Sequence, residues 1–149
     1  MGSPCSREAP RGRGRTRLVV AERLVAEMTA HCLRSFPEEG CGLLVGDSST
    51  GRVVRCVPVR NTAASARLYI VDPQEHLRAD RGAEEEGLEI IGVFHSHTHT
   101  DAFPSATDLA QVPDPSWHYV IVSLRAEVAS VRSYHLDGQV VIEEPIDLG

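Results

Sequence analysis

The sequence predicts a single α/β domain in which helices and strands mix around one sheet. Three observations lead there. Short apolar runs of strand length recur along the chain, helix start and stop signals stand between them, and 149 residues with 42% hydrophobic content suffice for one packed core. No internal repeat is present.

The first seventeen residues are rich in Gly, Pro and Arg, end in Arg11-Gly12-Arg13-Gly14-Arg15-Thr16-Arg17, and lack the apolar stretch of a secretory signal. They read as a disordered extension, 1–17, before a domain spanning 18–149. Residues 18–35 carry apolar positions at helical spacing, with Leu24, Val25, Met28 and Leu33 expected to face the core and Pro37 ending the helix. Residues 41–46 and 52–59 read as two strands around the turn Asp47-Ser48-Ser49-Thr50-Gly51, a hairpin with the Glu38-Glu39 pair at one end.

Residues 68–71 are expected to form a further short strand. Pro73 then opens a polar helix that runs through His76 and Leu77 to Glu84-Glu85-Glu86, a solvated acidic face, and stops at Gly87. A strand over 89–95 follows, then a loop, a short helix from Ala106, and strands over 119–123, 129–135 and 139–142. This order suggests an α/β sandwich with a site at the end of a central strand.

The net charge of −6 argues against a nucleic-acid-binding surface as the main function, and every basic residue is arginine. Cys5, Cys32, Cys41 and Cys56 contain no Cys-x-x-Cys pair and no disulfide framework, so a reducing, cytoplasmic setting is expected. No membrane partner is expected, and a homodimer is left open.

Chemistry concentrates in His95-Ser96-His97-Thr98-His99-Thr100-Asp101-Ala102-Phe103-Pro104-Ser105-Ala106-Thr107-Asp108. His95 and His97 lie two apart at the end of the apolar run Ile90-Ile91-Gly92-Val93-Phe94, so on a strand both imidazoles point the same way. Seven residues separate His97 from Ser105 and two separate Ser105 from Asp108, which gives the chain room to return a carboxylate to the same ion. Two imidazoles and a carboxylate suit an open zinc site whose fourth position takes a water, acidic near neutral pH. Such a water needs a base, and Glu38 and Glu39 before Cys41-Gly42-Leu43-Leu44 are the candidates. His99 and Asp101 continue the alternation, so spacing alone leaves two ligand triads open.

Bland readings stand beside these. Ser105-Ala106-Thr107-Asp108 after a proline has the form of a helix capping box, which is compatible with a metal role for Asp108. Paired histidines at a strand end and a Glu-Glu pair after a helix are common polar features, and Cys41 beside the base reads as a small buried thiol.

Taken together, His-x-His, seven residues, Ser, two residues and Asp, with a Glu before a Cys-Gly-Leu-Leu strand, resemble the JAMM (MPN+) metallopeptidase family over most of the chain. The resemblance implies an MPN fold, a curved mixed sheet flanked by helices. It implies that His95, His97 and Asp108 bind one Zn2+, that Glu39 rather than Glu38 activates the water, and that Ser105 stabilises the developing oxyanion. It disfavours His99 and Asp101 as ligands. Thr98 departs from the family pattern, where many relatives have proline, which bears on the shape of the loop.

Within the family, this stretch with Trp117-His118-Tyr119-Val120-Ile121-Val122-Ser123 and Arg132-Ser133-Tyr134 is similar to bacterial hydrolases of sulfur-carrier adducts. The implied reaction frees cysteine from the C-terminal diglycine (Gly-Gly) of a ubiquitin-like sulfur-carrier protein. Trimming of a tail-extended carrier, isopeptidase action, and a noncatalytic MPN scaffold are the alternatives. A zinc deaminase is disfavoured because its Pro-Cys-x-x-Cys ligands are missing.

Overall fold

Alternation along one short strand decides the architecture. In β2 (Cys41–Asp47), Cys41, Leu43 and Val45 belong to one buried cluster and Leu44 to another, so the strand carries a core on each face. A strand apolar on both faces must be covered twice. In the computed structural model, which describes residues 17–149, helix α1 (Glu22–Ser35) covers one face with Leu24, Met28 and Cys32. Helix α2 (Pro73–Glu85) covers the other with Ala79 and Ala83. The expected extension falls, apart from Arg17, outside the described residues.

The remaining strands are β1 (Leu18–Val19), β3 (Arg52–Val59), β4 (Glu89–His97), β5 (His118–Ser123), β6 (Ser130–Asp137), β7 (Val140–Glu144) and β8 (Ile146–Asp147), with a five-residue helix α3 (Ala106–Ala110) between β4 and β5. Among the described residues they form one eight-stranded mixed sheet in the order β7-β6-β5-β4-β2-β3-β1-β8. β4 is central, antiparallel to β2 and parallel to β5. Gly42, between these cores, is required: a Cβ there would collide with the Phe94 ring. Among the described residues no helix is long and apolar enough to cross a membrane.

Several expectations are corrected. The first helix begins at Glu22, not at 18, because Leu18 and Val19 pair with β3 and β8 as a buried strand. Cys32, not the exposed Leu33, continues the buried stripe of Leu24 and Met28, at spacings of four. Residues 68–71 make no strand; only Val71 forms an isolated bridge, to Asn61. Asn61 explains this, since its side chain takes the Ile70 N–H and donates to the Leu68 carbonyl in place of a neighbouring strand. The β4 strand extends past 95 to His97, so both histidines sit on the strand, at its C-terminal end as expected.

Candidate metal centre

On β4, His95 and His97 share the face of Val93, while Ser96 between them points to the other side. Ser96 Oγ accepts the Gly40 N–H at 2.8 Å, and Cys41 pairs with His95 across the β2–β4 ladder. These contacts bring residue 39 alongside the histidines. Asp108 arrives from the first turn of α3, held by a capping box: Ser105 Oγ accepts the Asp108 N–H at 3.0 Å and Asp108 Oδ2 accepts the Ser105 N–H at 2.9 Å.

The three side chains converge. His97 Nε2 lies 3.0 Å from Asp108 Oδ2, and His95 Nε2 lies 3.2 Å from Asp108 Oδ1. All three residues are buried, and their ligand atoms lie within 4.8 Å of one another. His95 Nε2 makes no hydrogen bond despite its nearness to Asp108, so imidazole and carboxylate converge without the direction of a bond. An orphaned buried nitrogen beside a second imidazole and a carboxylate is the donor set that a zinc ion completes.

Second contacts fix these three side chains. His97 Nδ1 lies 2.8 Å from the Asp101 carbonyl, and donation there orients the ring so that Nε2 faces Asp108 and the cleft. The Tyr69 ring stacks on His95 at 4.3 Å between centroids. Burial lowers the basicity of His95, despite the opposing Asp108 carboxylate. For His97, burial acts in the same sense, but the bonds to Asp108 and the Asp101 carbonyl outweigh it and raise the imidazole above its usual value. Burial would push the Asp108 carboxyl up, yet the two histidines hold it well below the carboxylate range.

Glu39 is buried, with Oε1 lacking a hydrogen-bond partner. Its backbone is clamped on both sides: the N–H donates to the Ser65 carbonyl at 2.8 Å and the carbonyl accepts from Asn61 Nδ2 at 3.0 Å. Burial pushes its carboxyl up to about 8, with Asp108 adding to the effect and His97 opposing it. Glu39, His97 and Ser105 line one cleft of about 580 Å3, together with Arg67, Thr98 and His99. Ser105 Oγ accepts one backbone bond and keeps its own proton for a further acceptor.

The residues that spacing left as rivals stay outside the His95–His97–Asp108 cluster, although His99 lines the same cleft. The His99 ring packs near Phe36 and its Nδ1 meets Thr98 Oγ1 at 3.0 Å. The Asp101 carboxylate is exposed and pairs with Arg125 at 2.7 Å. Glu38 is exposed, and Cys41 is a buried thiol that burial pushes up to about 12. Asn61, Tyr69 and the Asp101 carbonyl support the site without any signal in the spacing. Ser96 had one, since strand alternation turns it away from the histidines toward Gly40.

The family model described as prokaryotic homologs of the JAB domain matches residues 21–137. The CysO-cysteine peptidase of Mycobacterium tuberculosis is 37% identical over 132 residues, 88% of this chain and 90% of that protein. The desampylase of Haloferax volcanii is 40% identical over 88 residues, 58% of this chain and 63% of that protein. The JAB1/MPN domain protein AF2198 from Archaeoglobus fulgidus superposes with a TM-score of 0.56 at 17% identity, over 88% of this chain and 97% of that one, a likeness of fold. This chain belongs to the family of prokaryotic homologs of the JAB domain and has the MPN fold.

Proposed function

We propose that this protein is a zinc-dependent hydrolase that cuts the amide between the C-terminal diglycine of a ubiquitin-like sulfur-carrier protein and cysteine. The observation that carries the chemistry is the convergence of His95, His97 and Asp108, with an orphaned His95 nitrogen, beside a cleft that Glu39 also lines. The substrate rests on the similarity to a CysO-cysteine peptidase across nearly the whole chain.

A zinc ion held by His95, His97 and Asp108 would supply Lewis acidity at the scissile carbonyl and make a water acidic near neutral pH. Glu39 accepts the proton of the attacking water; burial already tunes its carboxyl toward the working pH of a general base. Ser105 donates its hydroxyl proton to the oxygen on which negative charge builds. Glu39 then gives its proton to the departing nitrogen as the carbon–nitrogen bond breaks, releasing cysteine and restoring the carrier's carboxylate. A diglycine tail has no side chains and enters a narrow cleft extended, reaching the carbonyl without steric conflict.

The desampylase similarity supports a second reading, an isopeptidase or tail-trimming peptidase acting on a related carrier. Incubation with a carrier–cysteine adduct, a tail-extended carrier and a lysine-linked conjugate, followed by mass measurement, separates them. The main reading expects cysteine release from the first substrate; preferential cleavage of either other substrate favours the second. A protein that cleaves none and holds no metal is a scaffold.

A further inference from the structure

Away from the cleft, the sheet holds a second convergence of two imidazoles and a carboxylate. His118 opens β5, His135 lies in β6 and Glu144 ends β7, so three neighbouring strands each contribute one side chain. Ladder register makes this meeting unavoidable. Tyr119 pairs with Tyr134, which sets His118 opposite His135 one step further on, and Ser133 pairs with Glu144 two residues along from His135.

The resulting geometry is tight. His118 Nδ1 lies 2.6 Å from Glu144 Oε2, His135 Nε2 lies 3.0 Å from Glu144 Oε1, and Ser133 Oγ donates to Oε2 at 2.5 Å. All four residues are buried, and the two imidazole nitrogens and the carboxylate oxygen lie within 4.8 Å of one another.

Two details give this cluster a role apart from the cleft. His118 is in register with Gly92, whereas Ile121 is in register with His95, and His118 shares the α1 face with Val120 and Val122. The two clusters therefore lie on opposite faces of the sheet, with His118 level with Gly92 and the first centre at the C-terminal end of β4. Glu144 also stands at a seam: Pro145 alone separates β7, one edge of the sheet order, from β8, the other edge, and its carbonyl accepts the Leu18 N–H at 3.1 Å. The sheet curls almost closed there.

We infer that His118, His135 and Glu144 form a structural site for a divalent transition-metal ion that ties β5, β6 and β7 at the seam of the sheet. Imidazole nitrogen and carboxylate oxygen are the donors that zinc, cobalt and nickel accept, and strands hold them more rigidly than loops do. Ser133 serves as the outer hydrogen bond that orients the carboxylate ligand. The ion replaces the protons shared between imidazoles and carboxylate, and the donor atoms spread by about half an ångström to reach metal bonds of about 2.0–2.1 Å. The donor set matches that of the first centre, whose contacts are 3.0 and 3.2 Å.

Elemental analysis of the full chain, reconstituted with zinc and dialysed, tests this. The expected result is about two ions per chain in the natural protein and about one in His135→Gln. Because His135→Gln is open to misfolding, the complementary double variant His97→Ala/Asp108→Ala keeps the seam intact and removes the first centre. That variant should retain about one ion and melt several degrees higher with zinc than after chelation, by the usual linkage of binding to stability. A double variant that binds no zinc and shows no rise in melting temperature would overturn the inference, whereas one ion in both the natural protein and the double variant would overturn the zinc assignment of the first centre instead.

Discussion

His97 Nδ1 meets the backbone carbonyl of Asp101 at 2.8 Å, while the Asp101 carboxylate turns outward to Arg125. A residue that spacing offered as a rival ligand thus supports the centre through its main chain. Its neighbours are held in the same way: the Thr100 carbonyl accepts from Ser123 Oγ at 2.6 Å and the Ala102 carbonyl from Tyr134 Oη at 2.5 Å. Three consecutive carbonyls, each with a side-chain donor, give the loop one shape.

Ligand variants separate the two triads. His97→Ala should give up an ion that His99→Ala and Asp101→Ala keep, as measured by elemental analysis. Asp101→Ala removes only an exposed ion pair and should change stability by less than about 0.5 kcal/mol, checked by denaturant unfolding.

Tyr134→Phe probes the support of the loop. Removing the donor to the Ala102 carbonyl should cost about 1–2 kcal/mol of stability. Because that carbonyl neighbours the one that orients His97, zinc affinity at the centre should fall by about 10-fold, the lower end of outer-contact effects, in a competition titration against a chromophoric chelator.

Ser105 caps α3 and, in the proposed mechanism, also donates to the oxyanion, and the two tasks are separable. Ser105→Ala removes the cap of α3 at about 1 kcal/mol and should lower kcat by about 10²–10³-fold through loss of the oxyanion donor. Ser105→Asp restores a capping oxygen without a hydroxyl proton, so melting temperature should recover while kcat does not.

The Glu39 carboxyl sits at about 8 in the folded chain, above its ordinary value of 4.5. Between those values the unfolded chain has lost this proton and the folded chain keeps it, so stability falls as pH rises from about 4.5 to about 8. In the metal-stripped protein, Glu39→Gln should remove that decline. Relative to the natural chain it should gain on the order of 5 kcal/mol between pH 4 and pH 9, read from paired urea titrations.

Burial pushes the thiols of Cys32, Cys41 and Cys56 up to about 12. At pH 8 only about 10⁻⁴ of each is thiolate, the nucleophilic form. Iodoacetamide should therefore leave these three unmodified in the native protein and label them after unfolding, as a peptide mass map would record.

Much of the site could be read from the sequence because its parts are local. Strand alternation put His95 and His97 on one face, and the capping box put Asp108 near the start of a helix, each within a few residues. Glu39 was different: nothing local separates it from Glu38, and resemblance made the choice. In the structure, Asn61 and Ser65 clamp its backbone from a segment more than twenty residues away. The same segment misled the reading of 68–71, where a run with strand composition meets an asparagine side chain instead of a strand. Two-residue strands such as β1 and β8 carry too few positions for any periodicity. The His118–His135–Glu144 cluster was hidden because strand register, not spacing, assembles it.

Hydrolysis of a carrier–cysteine adduct in water enriched in heavy oxygen, read by intact-mass spectrometry of the carrier, tests whether Glu39-assisted attack of water releases the cysteine. The zinc-loaded protein should release cysteine and place one heavy oxygen in the carrier's terminal carboxylate. Folded, zinc-loaded Glu39→Gln should do neither. An adduct that stays intact with the zinc-loaded natural protein, or cleavage that survives in Glu39→Gln at the natural rate, would contradict that mechanism.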